Sequence, residues 1–251
     1  MVHFVGAGPG APDLITLRGA RLLRTADVII YAGSLVNEAL LENAKQGCEI
    51  YNSAHMTLEE VLHVIRMAHK SGKDVVRLHT GDPCLFGAIR EQMDALQKMG
   101  IAYDDTPGVS SFCAAAAALG AEYTLPGVSQ SVIITRMEGR TPVPEREKLE
   151  ILAQHGTSMV LFLSAGMTQR VQDALLAGDY TADTPAAIVY KASWTDEKTV
   201  RCTVGTLAQA AEENAISKTA LLLIGDFLGQ DYDRSLLYHP SFETKFRKAS
   251  K

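Results

Sequence analysis

The sequence predicts an α/β protein of two α/β domains, the first built mainly on a parallel sheet and the second on a mixed sheet. Short runs of Val, Ile and Leu alternate with longer segments of helical periodicity, as in proteins whose parallel strands are buried on both faces. The 251 residues suffice for two domains of about 120 residues each. Beyond residue 130 the connections between apolar runs become less regular, which favours a mixed sheet.

The first half of the chain contains four or five predicted β–α units. Predicted strands cover 2–5, 27–31 and 74–79, and predicted helices cover 14–24, 58–70, 88–99 and 112–119. After a turn-rich stretch at 120–130, predicted strands cover 131–135, 159–163, 186–190, 199–204 and 220–224. We therefore predict an N-terminal domain over 1–120, a C-terminal domain over 121–240 and a basic tail over 241–251.

Two connections in the second half have distinct patterns. Residues 138–148 are polar with two prolines and predict an exposed loop that runs into a helix. The segment 194–197 predicts an antiparallel connection between neighbouring strands rather than a crossover.

Composition excludes several classes of protein. A hydrophobic fraction of 47% with 21% charged residues predicts a packed core. The net charge of −5 argues against a nucleic-acid partner, whose phosphates need a basic face. It leaves an anionic small ligand open, because a few Arg or Lys can dominate a cleft.

The sequence predicts a cytoplasmic protein with reduced cysteine thiols that does not enter a membrane. No apolar stretch approaches the ~20 residues of a membrane span, and the chain enters its first predicted strand without a signal peptide. The four cysteines lie far apart without a C-x-x-C pair, which indicates reduced thiols rather than a disulfide framework or a zinc cluster. The seven histidines show no metal-ligand spacing, so we predict no protein-bound metal.

A glycine- and proline-rich loop follows each of three early strands. The first holds Gly6, Gly8 and Gly10 before a predicted helix, where nucleotide-binding loops hold a pyrophosphate. No acidic residue ends the next strand to bind a ribose, and Pro9 and Pro12 remove N–H groups. An NAD(P) site is therefore disfavoured against a structural or substrate-lining turn.

The second loop, Thr80-Gly81-Asp82-Pro83, follows a predicted strand at the edge where doubly wound sheets bind ligands. The third loop, Pro107-Gly108-Val109-Ser110-Ser111, precedes the Ala-rich predicted helix. Gly81 lets a ligand approach the backbone, and Asp82 can accept hydrogen bonds from ribose or amino groups. An Asp-Pro turn at a helix start explains the same residues, as does Ser110 or Ser111 as a helix N-cap. No Gly-x-Ser-x-Gly motif occurs, which disfavours a serine hydrolase.

Together, the three loops in this order resemble the tetrapyrrole (corrin and porphyrin) methylase family of S-adenosylmethionine-dependent C-methyltransferases. The resemblance runs from Val2-His-Phe-Val-Gly-Ala-Gly-Pro-Gly to Ala220-Leu-Leu-Leu-Ile-Gly. Within the family, Tyr31-Ala-Gly-Ser-Leu-Val and Gly139-Arg-Thr-Pro-Val-Pro-Glu are similar to the signature of the cobalamin-pathway branch that methylates C-11 of precorrin-4 or its cobalt complex.

The resemblance implies an active site in the cleft between the two domains, with S-adenosyl-L-homocysteine as a product and a homodimer as the assembly. Its first glycine loop faces the tetrapyrrole and the reactive end of the cofactor, and any cobalt belongs to the substrate. The implied cofactor contacts are mostly backbone or small apolar groups. They are Pro9, Thr80, Gly81, Asp82, Leu85, Ser110, Ser111, Leu163, Ala192, Thr219 and Ala220.

One departure from the family's pattern concerns catalysis. Relatives that methylate uroporphyrinogen III carry an Asp, proposed as proton acceptor, where this chain has Ala32, and the proposed Lys donor falls near Ser53. The catalytic residue is therefore unassigned, with Ser34 and His55 as candidate substitutes. Correct orientation of the methyl donor and the accepting carbon can by itself lower the activation free energy by ~7–11 kcal/mol.

The implied substrate carries many acetate and propionate groups, which need hydrogen-bonding cations. Ser34, Arg136 and Arg140 are the predicted substrate contacts, although solvated surface arginines explain the latter two equally well. Three functions stay open: a C-11 methyltransferase, a sibling acting at another ring carbon such as C-17 or C-20, and a non-catalytic tetrapyrrole or nucleoside binding module.

Overall fold

The computed structural model describes residues 1–250, and its internal contacts divide the chain into two compact units. The first holds Met1–Ala115 together with Lys191–Glu197, and the second holds Ala116–Tyr190 and the chain from Lys198 onward. The division falls inside a helix. The domain limits drawn from the sequence, 1–120, 121–240 and 241–251, stay a prediction.

The first unit contains a five-stranded parallel sheet. In chain order its strands are β1 (Val2–Gly6), β2 (Val28–Tyr31), β3 (Glu49–Asn52), β4 (Val75–His79) and β5 (Tyr103–Thr106), and their spatial order is β3-β2-β4-β1-β5. The central strands are almost wholly buried, as expected for strands covered on both faces. The parallel sheet predicted for the first domain is therefore confirmed.

Four helices accompany this sheet: α1 (Leu17–Thr25), α2 (Leu58–Lys70), α3 (Arg90–Lys98) and α4 (Ser111–Leu119). The α2 helix has the limits that its periodicity predicts. Thr57 Oγ1 accepts a hydrogen bond from the Glu60 N–H, while Glu60 Oε2 accepts one from the Thr57 N–H, which forms a capping box. The α1 helix begins later than predicted, because Pro12–Leu14 forms a separate 3₁₀ turn and Thr16 caps the helix.

Two apolar cores lie on opposite faces of the first sheet. Val75 packs with Ile65 of α2 and Leu96 of α3, whereas Val76 and Leu78 pack with residues such as Leu23 of α1. Because side chains alternate along a strand, the remaining β4 residues, Arg77 and His79, lie on the α2–α3 face.

The second unit contains a five-stranded mixed sheet. Its strands are β6 (Val132–Arg136), β7 (Ser158–Phe162), β8 (Pro185–Tyr190), β9 (Lys198–Thr203) and β10 (Ala220–Ile224), in the spatial order β6-β7-β10-β8-β9. Only β6 and β7 pair in parallel; the other three pairings are antiparallel. The mixed sheet is confirmed, and so is the antiparallel connection around 194–197.

Three helices pack against the second sheet: α5 (Leu149–Leu152), α6 (Thr168–Leu176) and α7 (Leu207–Glu213). Their apolar residues join one core with the strands, and it includes Leu149, Leu175, Leu207 and Ile188. The predicted exposed loop at 138–148 runs through a 3₁₀ turn into α5. Across residues 1–250, none of the helices has the length and apolar character needed to span a bilayer.

Candidate functional site

The three loops predicted from the sequence meet at the carboxyl end of the first sheet. β1 lies between β4 and β5, so the loops that follow these strands leave the sheet side by side. The Gly81 N–H donates to the Gly8 carbonyl at 2.8 Å, and the Gly8 N–H donates to the Gly81 carbonyl at 3.2 Å. These two bonds join the loop after β1 to the loop after β4.

Glycine allows the third loop, which follows β5, to pack against the other two, and the contact of the three loops is called the junction below. A Cβ on Gly108 would lie 2.1 Å from the Gly81 oxygen and 2.8 Å from the Gly6 Cα, distances that no side chain tolerates. Gly81 also has a φ of +59°, a left-handed conformation that is costly for other residues. The backbones of three loops therefore touch, with main-chain groups concentrated at one point.

Asp82 ties the loops together through both carboxylate oxygens. Oδ1 accepts a hydrogen bond from the Cys84 N–H at 2.8 Å, and Oδ2 accepts one from the Gly108 N–H at 3.0 Å. The hydrogen bond with Asp82, followed by burial, raises the pKa of the Cys84 thiol to about 11. Asp82 thus positions the loop backbones, and Cys84 stays a thiol near neutral pH.

A segment distant in sequence packs against the first loop. The Trp194 Nε1–H donates to the Pro9 carbonyl at 3.0 Å, and Ser193 Oγ accepts from the Ala11 N–H at 3.0 Å. A Cβ on Gly10 would lie 2.1 Å from the Trp194 ring. Residues 191–197 therefore belong to the first unit, and they bring the buried Ala192 to the glycine loop.

A cavity of about 280 Å³ opens beside the loop after β4. Its lining includes the predicted cofactor contacts Thr80 and Leu85, and also Ala32 and Ser53, which stand where the family's Asp and Lys were expected. The candidate substitutes Ser34 and His55 are both exposed and are not among its lining residues. The cavity therefore lacks both side chains of the family's proposed acid–base pair.

His79, the last residue of β4, also lines this cavity. It is 4% exposed, and within residues 1–250 its Nε2 has no hydrogen-bond partner. Burial, followed by the positive charge of Arg77, lowers the pKa of His79 to about 3, so the imidazole is neutral at neutral pH. Sequence reasoning found no role for His79, although its place directly before Thr80 was the available signal.

Arg77 lies two residues earlier on the same face of β4. Its Nε donates to Gln92 Oε1 and its Nη1 donates to the Ile30 carbonyl, both at 3.1 Å. Burial lowers the pKa of Arg77 to about 10, which still leaves the guanidinium charged near pH 7. The cavity thus contains a buried cation held by neutral acceptors.

Backbone strain accompanies the cavity. Phe86 and Ala88, which line it, have φ values of +56° and +50°. Left-handed conformations of residues other than glycine cost energy and cluster at functional sites. The loop after β4 is therefore held in a conformation that favours a role in ligand binding.

The predicted contacts from the second unit lie at one end of its sheet. Leu222 pairs with Leu161 in the antiparallel β10–β7 ladder, so Ala220 falls opposite Leu163 just beyond it. Leu163 and Thr219 have φ values of +53° and +54°, and Leu163 is 63% exposed. The sheet register brings these three predicted residues together.

The remaining predicted residues differ in their surroundings. Arg136 ends β6, and its guanidinium donates to the Thr141 and Pro142 carbonyls at 3.2 and 2.7 Å, which holds the following loop. Arg140 lies exposed in that loop. Ser110 is buried directly before α4, and Ser111 is the first residue of that helix.

Within 1–250, no group of three or more His, Cys, Asp or Glu side chains is arranged to hold a metal ion. The four cysteines are free thiols, and none takes part in a disulfide.

Comparisons with known proteins agree on one family. The family model for tetrapyrrole (corrin/porphyrin) methylases matches residues 1–208. The chain is 54% identical to the cobalt-precorrin-4 C(11)-methyltransferase of Methanocaldococcus jannaschii, with 100% of this chain and 97% of that protein covered.

Two solved structures extend the comparison. A cobalt precorrin-4 methyltransferase of cobalamin biosynthesis superposes with a TM-score of 0.89 at 48% identity, covering 91% of this chain and 96% of that one. The uroporphyrin-III C-methyltransferase of Thermus thermophilus, complexed with S-adenosylhomocysteine, superposes with a TM-score of 0.76 at 28% identity over 90% and 98%. The chain belongs to the tetrapyrrole (corrin/porphyrin) methylase family.

Proposed function

We propose that this protein is an S-adenosylmethionine-dependent methyltransferase of cobalamin biosynthesis that methylates C-11 of precorrin-4 or its cobalt complex. The main support for this proposal is the full-length similarity to a cobalt-precorrin-4 C(11)-methyltransferase. The similarity extends to the fold, since a solved structure of a cobalt precorrin-4 methyltransferase superposes over 91% of this chain.

S-adenosylmethionine suits the loop junction of the first unit. Glycines let the backbones of the three loops pack directly against one another at Gly6, Gly81 and Gly108, so a nucleoside and amino acid bound beside them would meet backbone rather than large side chains. We propose cofactor contacts in this unit at Pro9, Thr80, Gly81, Asp82, Leu85, Ser110, Ser111 and Ala192. Leu163, Thr219 and Ala220 are proposed contacts of the same cofactor from the second unit.

The cofactor supplies a methyl group on a positively charged sulfur, ready for attack by an electron-rich ring carbon. The chain's own task is to hold the reactants in line, which accounts for much of the rate of such transfers. Asp82 and the glycine contacts fix the loop backbones for this purpose. Phe86 in the pocket wall has a left-handed φ of +56°, which a residue other than glycine keeps only where its surroundings hold it there.

Covalent catalysis by a cysteine is disfavoured by the state of the thiols. Burial raises the pKa of Cys48 and of Cys113 and raises that of Cys202 to about 11, while Cys84 is held protonated beside Asp82. A thiol is a weak nucleophile compared with its thiolate. Direct transfer from the cofactor to the substrate therefore fits this chain better than a methylated-cysteine intermediate.

The substrate's carboxylates need partners on the protein. We propose Ser34, Arg136 and Arg140 for this role. Arg136 fixes the loop 137–142 through its carbonyls and leaves Arg140 exposed within it, so the loop presents one free guanidinium to an anion.

We also propose that the protein works in the cytoplasm as a homodimer, without a nucleic-acid or membrane partner. Four free thiols suit a reducing compartment. Large exposed apolar side chains concentrate between residues 232 and 246, including Leu236, Tyr238 and Phe246, and exposed apolar surface of this kind favours self-association. Sedimentation equilibrium should give twice the chain mass, and a monomer at all concentrations would contradict the homodimer.

Calorimetric titration with S-adenosylhomocysteine tests the proposed function. We expect one site per chain with micromolar affinity. Binding followed by transfer of labelled methyl from S-adenosylmethionine to precorrin-4 separates an enzyme from the binding-module alternative. Absence of binding would contradict the proposal and the list of cofactor contacts.

A further inference from the structure

The cavity beside β4 contains two polar groups that the proposed function leaves unexplained. Neither His79 nor Arg77 is among the proposed contacts of the cofactor or the substrate. A buried nitrogen without a partner costs free energy, and a buried cation without a counter-charge costs more. The folded protein bears both costs within one cavity.

Neighbouring residues position both groups. The His79 ring packs beside Phe4, with 6.1 Å between ring centroids, and Arg77 is anchored to Gln92 and to the backbone of β2. Such fixed groups are already in place before a ligand arrives, which lowers the cost of ordering them on binding.

The charges around the cavity favour an anion in its interior. Arg77 contributes the buried positive charge, and Glu91 of α3, an exposed residue at the rim, is the other charged lining group. The segments after β2 and β3 contribute only uncharged residues. The first turn of α2 adds the uncharged residues Thr57, Leu58 and Val61, and the amino end of this helix is already capped by the Glu60 carboxylate.

We propose that this cavity is a binding subsite for a carboxylate group, in which the His79 Nε2–H donates a hydrogen bond and the Arg77 guanidinium supplies the opposite charge. The identification of that carboxylate as an acetate or propionate arm of the tetrapyrrole rests on the proposed function. A bound carboxylate would give Nε2 its missing partner and Arg77 its missing counter-charge. It would also occupy the space beside Ala32 and Ser53, where this chain lacks the family's two ionisable side chains.

The test uses uroporphyrin III, an octacarboxylate tetrapyrrole, as the probe, with its affinity measured by fluorescence titration. His79→Phe keeps a flat ring but removes the donor, and His79→Gln keeps a donor. His3→Phe is the matched control, because His3 lies on β1 and pairs with Asp104 at the protein surface. Calorimetry with S-adenosylhomocysteine on every variant tests the cofactor site separately.

We expect His79→Phe to weaken probe binding roughly 10- to 100-fold, the effect of losing one hydrogen bond to a charged group. His79→Gln should stay within about threefold of wild type, as should His3→Phe, and S-adenosylhomocysteine affinity should be unchanged throughout. In turnover with the precorrin substrate, His79→Phe should raise KM far more than it lowers kcat.

Three results would overturn the subsite. The first is equal probe affinity for wild type and His79→Phe, and the second is no probe binding by a wild type that still binds S-adenosylhomocysteine. The third is equal weakening of both ligands by His79→Phe, which would indicate a structural role. Loss of S-adenosylhomocysteine binding by the wild type would instead overturn the proposed function, and the probe titration would still decide the subsite.

Discussion

Asp82 Oδ2 accepts a hydrogen bond from the backbone N–H of Gly108 at 3.0 Å, which joins the loop after β4 to the loop after β5. Its other oxygen accepts from the Cys84 N–H within its own loop. One carboxylate therefore fixes two of the three backbones at the proposed cofactor site. We propose that the side chain acts on the cofactor through the loop geometry that it maintains.

Replacing Asp82 with Ala should weaken both the junction and the cofactor site. Two N–H groups lose a charged acceptor, and we expect a loss of about 2 kcal/mol in the free energy of unfolding and at least a tenfold loss in S-adenosylhomocysteine affinity. Urea unfolding and calorimetry measure these changes. Asp94→Ala is the control, because the Arg90–Asp94 pair lies on the surface and should contribute under ~0.5 kcal/mol. Unchanged affinity in Asp82→Ala would remove Asp82 from the site.

Gly108→Ala should separate the loops. Its Cβ would overlap the Gly81 carbonyl, so the backbones must move apart, and we expect the cofactor affinity to fall more than tenfold, since small displacements at such sites have large effects. Gly47→Ala provides the comparison, because Gly47 has a φ of +81° with open space around its Cβ. It should cost about 1 kcal/mol of stability and leave affinity intact. Equal affinities in the two variants would contradict the importance of the junction.

Trp194→Phe should weaken the hold of segment 191–197 on the first loop. The change keeps an aromatic ring against Gly10 but removes the hydrogen bond to the Pro9 carbonyl, at a cost of about 1 kcal/mol. We expect a threefold to tenfold loss of S-adenosylhomocysteine affinity, roughly the equivalent of that energy. Because the chain has one Trp, its fluorescence should respond to the ligand in the wild type. A comparable loss of affinity in Tyr180→Phe, which removes a bond to Thr157 in the second unit, would show that the effect is not local.

His79 should make the protein less stable in acid. Its folded pKa is about 3 against about 6.5 in the unfolded chain, so between these values the unfolded state binds a proton that the folded state excludes. The free energy of unfolding is therefore unaffected by this group above pH 6.5, and below that pH it falls by up to ~1.4 kcal/mol per pH unit. Urea unfolding from pH 7 to pH 4.5 should show a shallower decline for His79→Gln than for wild type. Parallel curves would mean that His79 is protonated alike in both states.

Periodicity and apolar content predicted the elements whose own residues determine them. The limits of α2 and β10 follow directly from their patterns, since α2 carries Val61, Ile65 and Ala68 on its buried face and β10 is apolar throughout. The strands β3 and β5 were missed because Glu49-Ile-Tyr-Asn and Tyr103-Asp-Asp-Thr are polar sequences at the two edges of the sheet. Edge strands with charged side chains are common, but they carry little apolar signal.

The candidate site was predictable where it depends on loops and unpredictable where it depends on pairing across the fold. Glycines after three strands indicated a ligand-binding edge, and the sheet order explains why they meet. The contact of Trp194 with Pro9 joins residues 185 positions apart, which no local pattern indicates. The importance of His79 depends on its place in the cavity wall and on its unpartnered Nε2, neither of which a local sequence pattern indicates.

Methylation of C-11 is tested most directly by incubating the purified protein with cobalt-precorrin-4 and S-adenosylmethionine that carries ¹³C in its methyl group. NMR then locates the label in the product. We expect one new labelled methyl group, attached to C-11. Label at C-17, C-20 or any other ring carbon, or no transfer by a protein that binds S-adenosylhomocysteine, would contradict the proposed function.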